Sequence, residues 1–256
     1  MQDSRFKTSL FENEKLAAKL SWMRDYDIRP YVFVRDENRI EKSGDLHSSV
    51  DWFPHDRIYK DPLRMVEVGF ADQILKLEAL AFGPSGMAMP RWVFYDCAIV
   101  PGFVAGFAAR TASLPLETKK LLQVDDSLEW TPLSLFIIIP TMRGTGEWVA
   151  HNLCSVNSIL PKELQYYGIG YLSKAFGLWY ANVQTCIGMT QWTSPSVRLH
   201  SYFGDFEVLT SYTPVHSYGM TLTYRLNVEP ASWGHFFLKQ PREGFQTNHV
   251  PAGFMV

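Results

Sequence analysis

The chain has 256 residues, 46% of them hydrophobic and 20% charged, with a formal net charge of −2 at pH 7. That length suits one large domain, or one domain with an appendage, and is enough to bury a real core. The near-neutral balance gives no whole-chain attraction to a phosphate backbone, so a nucleic-acid partner is not expected. Cys97, Cys154 and Cys186 are too widely spaced for a metal pattern and read as reduced, buried thiols. The opening stretch, MQDSRFKTSLFENEK, lacks the apolar segment of a secretory signal, and the run Leu135–Pro140 is far too short to cross a bilayer. A cytoplasmic protein without metal or membrane is the expectation. The 17 Phe, 12 Tyr and 8 Trp point to a deep core, a lined pocket, or both.

Residues 9–24 read as a helix, with Ser9 and Glu12 at capping-box spacing and Leu16, Ala17, Leu20 and Met23 on one face. Residues 31–35 read as a short strand and 36–62 as loop. From Leu63 the pattern becomes regular. LRMVEVG (63–69) is strand-like, and 71–82 is helix-like, with Ile74, Leu77 and Ala81 on one side. Residues 83–90 read as loop. RWVFYDCAIV (91–100) and FVAGFAAR (103–110) read as two strands joined by Pro101-Gly102, a hairpin signal. A short helix is expected over 114–123, and strands over 131–140 and 147–157, with TMRGTG as the turn between those two strands.

The most informative stretch follows. A strand ends near Asn157, and QYYGIG (165–170) opens a helix of about 170–183, with Leu172, Phe176, Trp179, Tyr180 and Val183 on its apolar side. Residues 185–192 read as a strand. Ser194 is a suitable N-cap, Pro195 suits a first helical position, and Gly204 stops that short helix. Residues 206–215 and 219–228 read as a final hairpin.

A strand, a glycine-rich loop and a helix start make an anion site. The first N–H groups of a helix lack intrahelical partners, and the helix dipole adds about half a positive charge there. Glycines let a diphosphate approach the backbone without meeting a Cβ. No Lys-Ser or Lys-Thr follows, so this is not a Walker loop. Ser173 stands where a dinucleotide fingerprint needs its third glycine. What remains is the pattern [QR]-x-x-G-x-[GA], with Gln165 in first place.

That pattern, the order of elements around it, and SPSVRLHSYFGDF (194–206) resemble the GNAT acyltransferase superfamily over residues 63–228. The last segment is similar to the family's Asn-x-x-Ala-x-x-Leu-Tyr-x-x-x-Gly-Phe. It departs from it in three places: Thr193 or Ser194 replaces Asn, the Tyr position falls on His200 or Ser201 with Tyr202 close by, and Gly204-Asp205-Phe206 has one residue more. Residues 111–146 are longer than the family's usual route and are expected to add a strand or a substrate-facing flap.

The resemblance implies an α/β (α+β) fold, with a mixed, mostly antiparallel central sheet of about seven strands flanked by helices. Residues 1–62 would form an N-terminal appendage, and 229–256 a tail packed on the domain. It implies acetyl-CoA or another acyl-CoA as donor, with its pyrophosphate on Gln165, Tyr166, Tyr167, Gly168, Ile169, Gly170 and Tyr171. Val156, Asn157 and Ser158 would line the pantetheine arm and supply a backbone N–H to the thioester carbonyl. An amine attacks the thioester directly, a base takes its proton, and an acid protonates the thiolate. His200 and Tyr202 are the candidate acids. Glu147 and His151 are the candidate bases, with Asp96 behind them; an imidazole suits proton transfer near neutrality.

Three functions stay open at this stage. One is an N-acetyltransferase acting on a small amine or a protein amino group. The second is a longer-chain N-acyltransferase drawing on acyl-CoA or an acyl-carrier protein, with Met87, Met89, Trp92 and Phe94 as a conceivable acyl tunnel. The third is a non-catalytic protein that binds coenzyme A or a partner. Asp125, Asp126 and Glu129 are candidates to attract a cationic amine. Family members are often dimers, so a homodimer is one state the resemblance allows.

Overall fold

The computed structural model describes residues 26–33, 63–65, 68–98, 102–141, 146–212 and 220–229. The expected helix over 9–24, the loop over 36–62, the turn around 142–145 and the tail beyond Glu229 lie outside these residues.

Among the described residues, nine strands form one mixed sheet: β1 (Ile28–Phe33), β2 (Leu63–Met65), β3 (Phe103–Arg110), β4 (Trp130–Pro132), β5 (Ser134–Pro140), β6 (Glu147–Ser155), β7 (Thr185–Gln191), β8 (Gly204–Tyr212) and β9 (Thr221–Val228). Their order is β2-β1-β3-β5-β6-β7-β9-β8, and β4 also pairs with β3. Among these strands, β1 with β2 and β6 with β7 run parallel, and the other pairs run antiparallel. The helices are α1 (Val68–Phe82), α2 (Arg91–Cys97), α3 (Leu116–Leu121), α4 (Ile169–Tyr180) and α5 (Ser196–Ser201).

The helices cover both faces of the sheet. Phe70 of α1 meets Tyr31 of β1 edge-on at 4.9 Å, while Phe176 of α4 meets Phe107 of β3 at 6.0 Å on the other face. Along a strand successive side chains alternate between faces, so Gly106 and Phe107 belong to opposite layers. A Cβ on Gly177 would come within 2.5 Å of the Phe136 ring, so α4 lies close on β5 only because this residue has none. Interiors packed at this density do not absorb such an overlap cheaply.

Four expectations change. Residues 91–97 form a helix, not the first strand of a hairpin. Phe94, Cys97 and Ala98 are the buried positions, at helical rather than alternating spacing, and Arg91 reaches one turn on to Tyr95, its guanidinium 5.2 Å from the ring. The strand beginning at Leu63 stops at Met65, and α1 has begun by Val68. The expected strand 131–140 breaks at Leu133, whose N–H turns to Phe107, giving β4 and β5. Ile28–Phe33, which the sequence groups with an appendage, pairs along its whole length with β3 inside the sheet.

Candidate functional site: a fork in the sheet beneath a glycine-opened helix

The site begins with an irregularity in β6. Phe136 of β5 pairs with Leu153, and Ile138 pairs with Ala150. Two residues of β6, His151 and Asn152, therefore stand opposite the single Ile137. This is a β-bulge, which bends its strand and re-aims side chains. The parallel pairing of β6 with β7 ends at the same point, with Ala150 opposite Gly188. Beyond it the two strands part, leaving His151–Ser155 and Met189–Gln191 without each other. His151 sits at this fork with its side chain exposed. Gly188 marks the root of the fork, because a Cβ there would lie 2.5 Å from the buried Tyr224 hydroxyl.

The chain then turns from the open end of β6 into α4, and side chains fix that turn. Asn157 Nδ2 donates to the Tyr166 carbonyl at 2.7 Å, and the Tyr166 N–H donates back to Asn157 Oδ1 at 2.8 Å. Gln165 Nε2 donates to the carbonyls of Asn157 and Leu160 at 3.0 and 3.1 Å. Gln165, the first residue of the motif, thus braces the loop, as does the buried Tyr166 ring, which meets Tyr26 edge-on at 5.5 Å. Tyr167 is exposed.

Gly168 is the N-cap of α4, with φ 82° and ψ −3°. That left-handed conformation disfavours residues with a Cβ and explains why glycine stands there. The Ile169 N–H is taken by the Tyr166 carbonyl at 3.2 Å, but among the described residues no backbone carbonyl outside the helix accepts the N–H of Gly168 or Gly170. A Cβ on Gly170 would meet only Ser155, at 3.7 Å, so the first turn of α4 abuts, with open backbone, the end of β6 that has parted from β7. Free amides at the positive end of a twelve-residue helix favour an anion.

The next turn adds a polar aromatic group. Tyr171 meets Tyr202 of the segment after α5 with ring centroids 5.7 Å apart, and Arg198 Nε donates to the Tyr202 hydroxyl at 2.7 Å. Burial, with help from Tyr202 and Tyr167, pushes the Tyr171 phenol up to about 12, while Arg198 opposes the rise. Tyr171 therefore stays protonated and can donate a hydrogen bond.

One turn further along α4 the chemistry differs. Lys174 is fully buried, and its Nζ bonds His200 Nδ1. The Phe203 and Tyr224 rings lie 5.4 and 5.5 Å from that nitrogen. His200 stacks on Tyr224 at 4.6 Å and is only 5% exposed. Burial brings Lys174 down to about 8, with Cys186 opposing. Burial and the neighbouring Lys174 hold His200 well below its usual range, so it is a neutral imidazole.

The remaining sequence-derived residues separate. Glu147 lies at the paired end of β6 opposite Thr185, where it accepts from Thr141 Oγ1 at 2.8 Å; it is remote from the fork in register. Asp96 is on α2, not on a strand. The Val156 N–H, one of the anticipated carbonyl donors, is committed to Leu133 at 2.8 Å because a 3-10 turn follows Ser155 directly. Ser158 Oγ donates back to the Ser155 carbonyl at 2.8 Å. Trp92 is 68% exposed while Phe94 is buried against Phe33, so these two do not face one tunnel with Met87 and Met89. Asp126 pairs with Lys119, Glu129 with Arg110, and Asp125 accepts from Ser127, so each of these acids has a local partner.

The sequence reading passed over Lys174, Arg198, Asn152 and Glu78. Glu78, on α1, is buried and accepts from the Met89 N–H and from Asn152 Nδ2. The signal was present in part: Lys174 and Glu78 each stand beside apolar positions at helical spacing, where burial is expected and charge is not.

The described residues fold as a mixed, mostly antiparallel sheet flanked by helices. No family model and no curated protein matches the sequence. Among solved structures it is similar to the ribosomal-protein-S18-alanine N-acetyltransferase from Escherichia coli, at 11% identity over 64% of this chain and 91% of that one, with a TM-score of 0.43. It is similar to Arabidopsis thaliana NAA60, solved with a bisubstrate analogue, at 10% identity over 65% and 98% of the two chains, with a TM-score of 0.44. An aminoglycoside 6'-acetyltransferase type Ii follows at 10% identity over 63% and 91%, with a TM-score of 0.42. No helix among the described residues is long and apolar enough to cross a membrane.

Proposed function

We propose that this chain is an acyl-coenzyme A-dependent N-acyltransferase, with acetyl-coenzyme A as its donor and an amine as its acceptor. The observation that carries this reading is the helix α4, opened by a left-handed Gly168, whose free amides abut the half of β6 that has parted from β7. Those amides suit a pyrophosphate, and the open backbone at Gly170 leaves room for it. The fork suits a narrow, extended chain laid between β6 and β7, which would take the place of the missing strand pairing. Bound there, the donor supplies an activated thioester.

The protein's own groups are assigned as follows. The bulge turns β6 backbone toward the fork, where an N–H can meet the developing charge of the carbonyl oxygen. His151, exposed in the bulge, takes the proton of the attacking amine. Tyr202 returns a proton to the leaving thiolate. Arg198 donates into the Tyr202 oxygen, which leaves the phenolic hydrogen free to point elsewhere. His200 is held in the Lys174 pair and supports α5 against β9, so it is the weaker acid of the two candidates.

The test is thiol release. The protein, given acetyl-coenzyme A and a panel of small and peptidyl amines, should free coenzyme A at a rate that depends on the amine. Saturable coenzyme A binding with no thiol release from acetyl or longer acyl donors, whatever the amine, would leave a binding protein and reject the transferase.

A further inference from the structure

Glu78 is the charged side chain of the molecule with the least obvious reason to be where it is. It stands in the third turn of α1, 1% exposed, and among the described residues no Lys or Arg lies within ion-pair distance of it. Burying a carboxylate without a counter-ion is costly, and a leucine would fill the position without that cost. Burial holds its carboxyl above the usual range, and the Met89 N–H offsets part of that rise.

Its partners are the informative part. The Met89 N–H reaches both carboxylate oxygens, at 3.0 and 2.9 Å. Met89 belongs to the segment between the 3-10 turn Gly83–Ser85 and α2. The third contact comes from Asn152 Nδ2 at 3.0 Å, and Asn152 is one of the two residues of the β6 bulge. One carboxylate therefore joins the irregular segment after α1 to the point where the sheet forks. Parity explains the reach. Without the extra residue in β6, Asn152 would fall on the α4 face with Ala150; the bulge shifts it to the α1 face, under Glu78.

We infer that Glu78 is a positioning residue that locks the β6 bulge to the Met87–Pro90 segment, and so sets the acceptor side of the fork. The consequence for catalysis rests on the acyltransferase reading; the lock itself does not. The carboxylate is too buried to meet an amine, so its effect passes through Asn152 and Met89. An acceptor entering from the α1 side of the sheet meets a preformed edge, with the bulge backbone held at a fixed angle to it.

The experiment compares Glu78→Ala, Glu78→Gln and Asn152→Ala in the full chain, by amide hydrogen exchange and by steady-state kinetics. Glutamine can accept from Met89 and, with the Asn152 amide turned over, bond it as well. The lock predicts faster exchange both at Met89 and at His151–Leu153 in Glu78→Ala, faster exchange at Met89 in Asn152→Ala, and near-normal exchange in Glu78→Gln. In kinetics, Glu78→Ala should raise the acceptor KM about tenfold or more with acyl-coenzyme A affinity within twofold, and Glu78→Gln should recover most of that loss. Exchange at Met89 that ignores Asn152→Ala would overturn the lock. So would a Glu78→Gln variant with normal exchange but turnover as low as Glu78→Ala, since the carboxylate would then act on a proton. If the wild-type chain binds no acyl-coenzyme A, the acyltransferase reading fails and the exchange measurements still decide the lock.

Discussion

Two neighbouring turns of one helix carry opposite arrangements of positive charge. At Gly168–Tyr171 the charge is the diffuse end of the helix dipole, with free amides against the open end of β6. At Lys174, one turn on, it is a full ammonium sealed among His200, Phe203 and Tyr224, with no access to solvent. A glycine backbone can offer donors to a ligand without bringing in a charge that needs its own partner. A buried lysine must be satisfied inside the protein, and here it fastens α4 to α5. The first turn leaves its donors open; the second ties the helix to its neighbour.

The comparison can be broken at either end. The largest effect is expected from Tyr202→Phe, which removes the hydroxyl beside the open turn: kcat should fall about a hundredfold or more, the scale of a lost general acid, while acyl-coenzyme A affinity stays within about twofold. Measured thiol release and calorimetry separate the two quantities. Gly170→Val comes next. Its helical backbone tolerates a side chain, and the added bulk meets Ser155, so the melting temperature should hold within a few degrees while acyl-coenzyme A affinity drops about tenfold or more. Gly168 is a poorer site for this test, because its φ of 82° would strain any replacement and confuse binding with folding.

Asn157→Ala removes the paired bonds that hold Tyr166. Denaturant unfolding should show a loss of about 1–3 kcal/mol, from two backbone groups left without their partner. The smallest effect lies at the sealed turn. His200 has a folded pKa below its unfolded value of 6.5, so the unfolded chain binds the extra proton as pH falls. Stability should therefore be fully present above about 6.5 and decline below it. Lys174, at about 8 against 10.5, gives the same sign at higher pH: stability should rise as pH climbs from about 8 towards 10.5. The double variant Lys174→Met, His200→Phe should flatten both limbs at little cost in stability, since apolar residues of similar size replace a buried polar pair well. A pH-stability curve unchanged from wild type would show that neither group is responsible.

Much of the fold was legible because it rests on local pattern. Residues 165–204 were readable almost element by element: a glycine turn, an amphipathic helix, a strand and a short helix, although that helix ends at Ser201 and Gly204 opens β8 instead of stopping it. The strand reading of 91–97 failed because an aromatic-rich run in a short window fits either period, and burial of Phe94 and Cys97 is decided by α1 and β1, not by the run itself. The site was legible where backbone makes it. Gly168 is legible because its left-handed backbone disfavours any residue with a Cβ. It was illegible where distant side chains make it. Nothing in the sequence shows that Glu78 meets Asn152 across 74 positions, because that contact depends on a one-residue bulge. Nor does local pattern say that His200 would be turned inward onto Lys174 while Tyr202, two residues on, stays at the open turn.

The anion cradle we propose consists of the amides of Gly168 and Gly170. The most direct measurement is an amide nitrogen–proton correlation spectrum of the labelled protein titrated with coenzyme A. Both glycine resonances should move progressively and level off together with binding. Saturated binding that leaves both glycine amides unmoved, or no binding at all, would contradict the account.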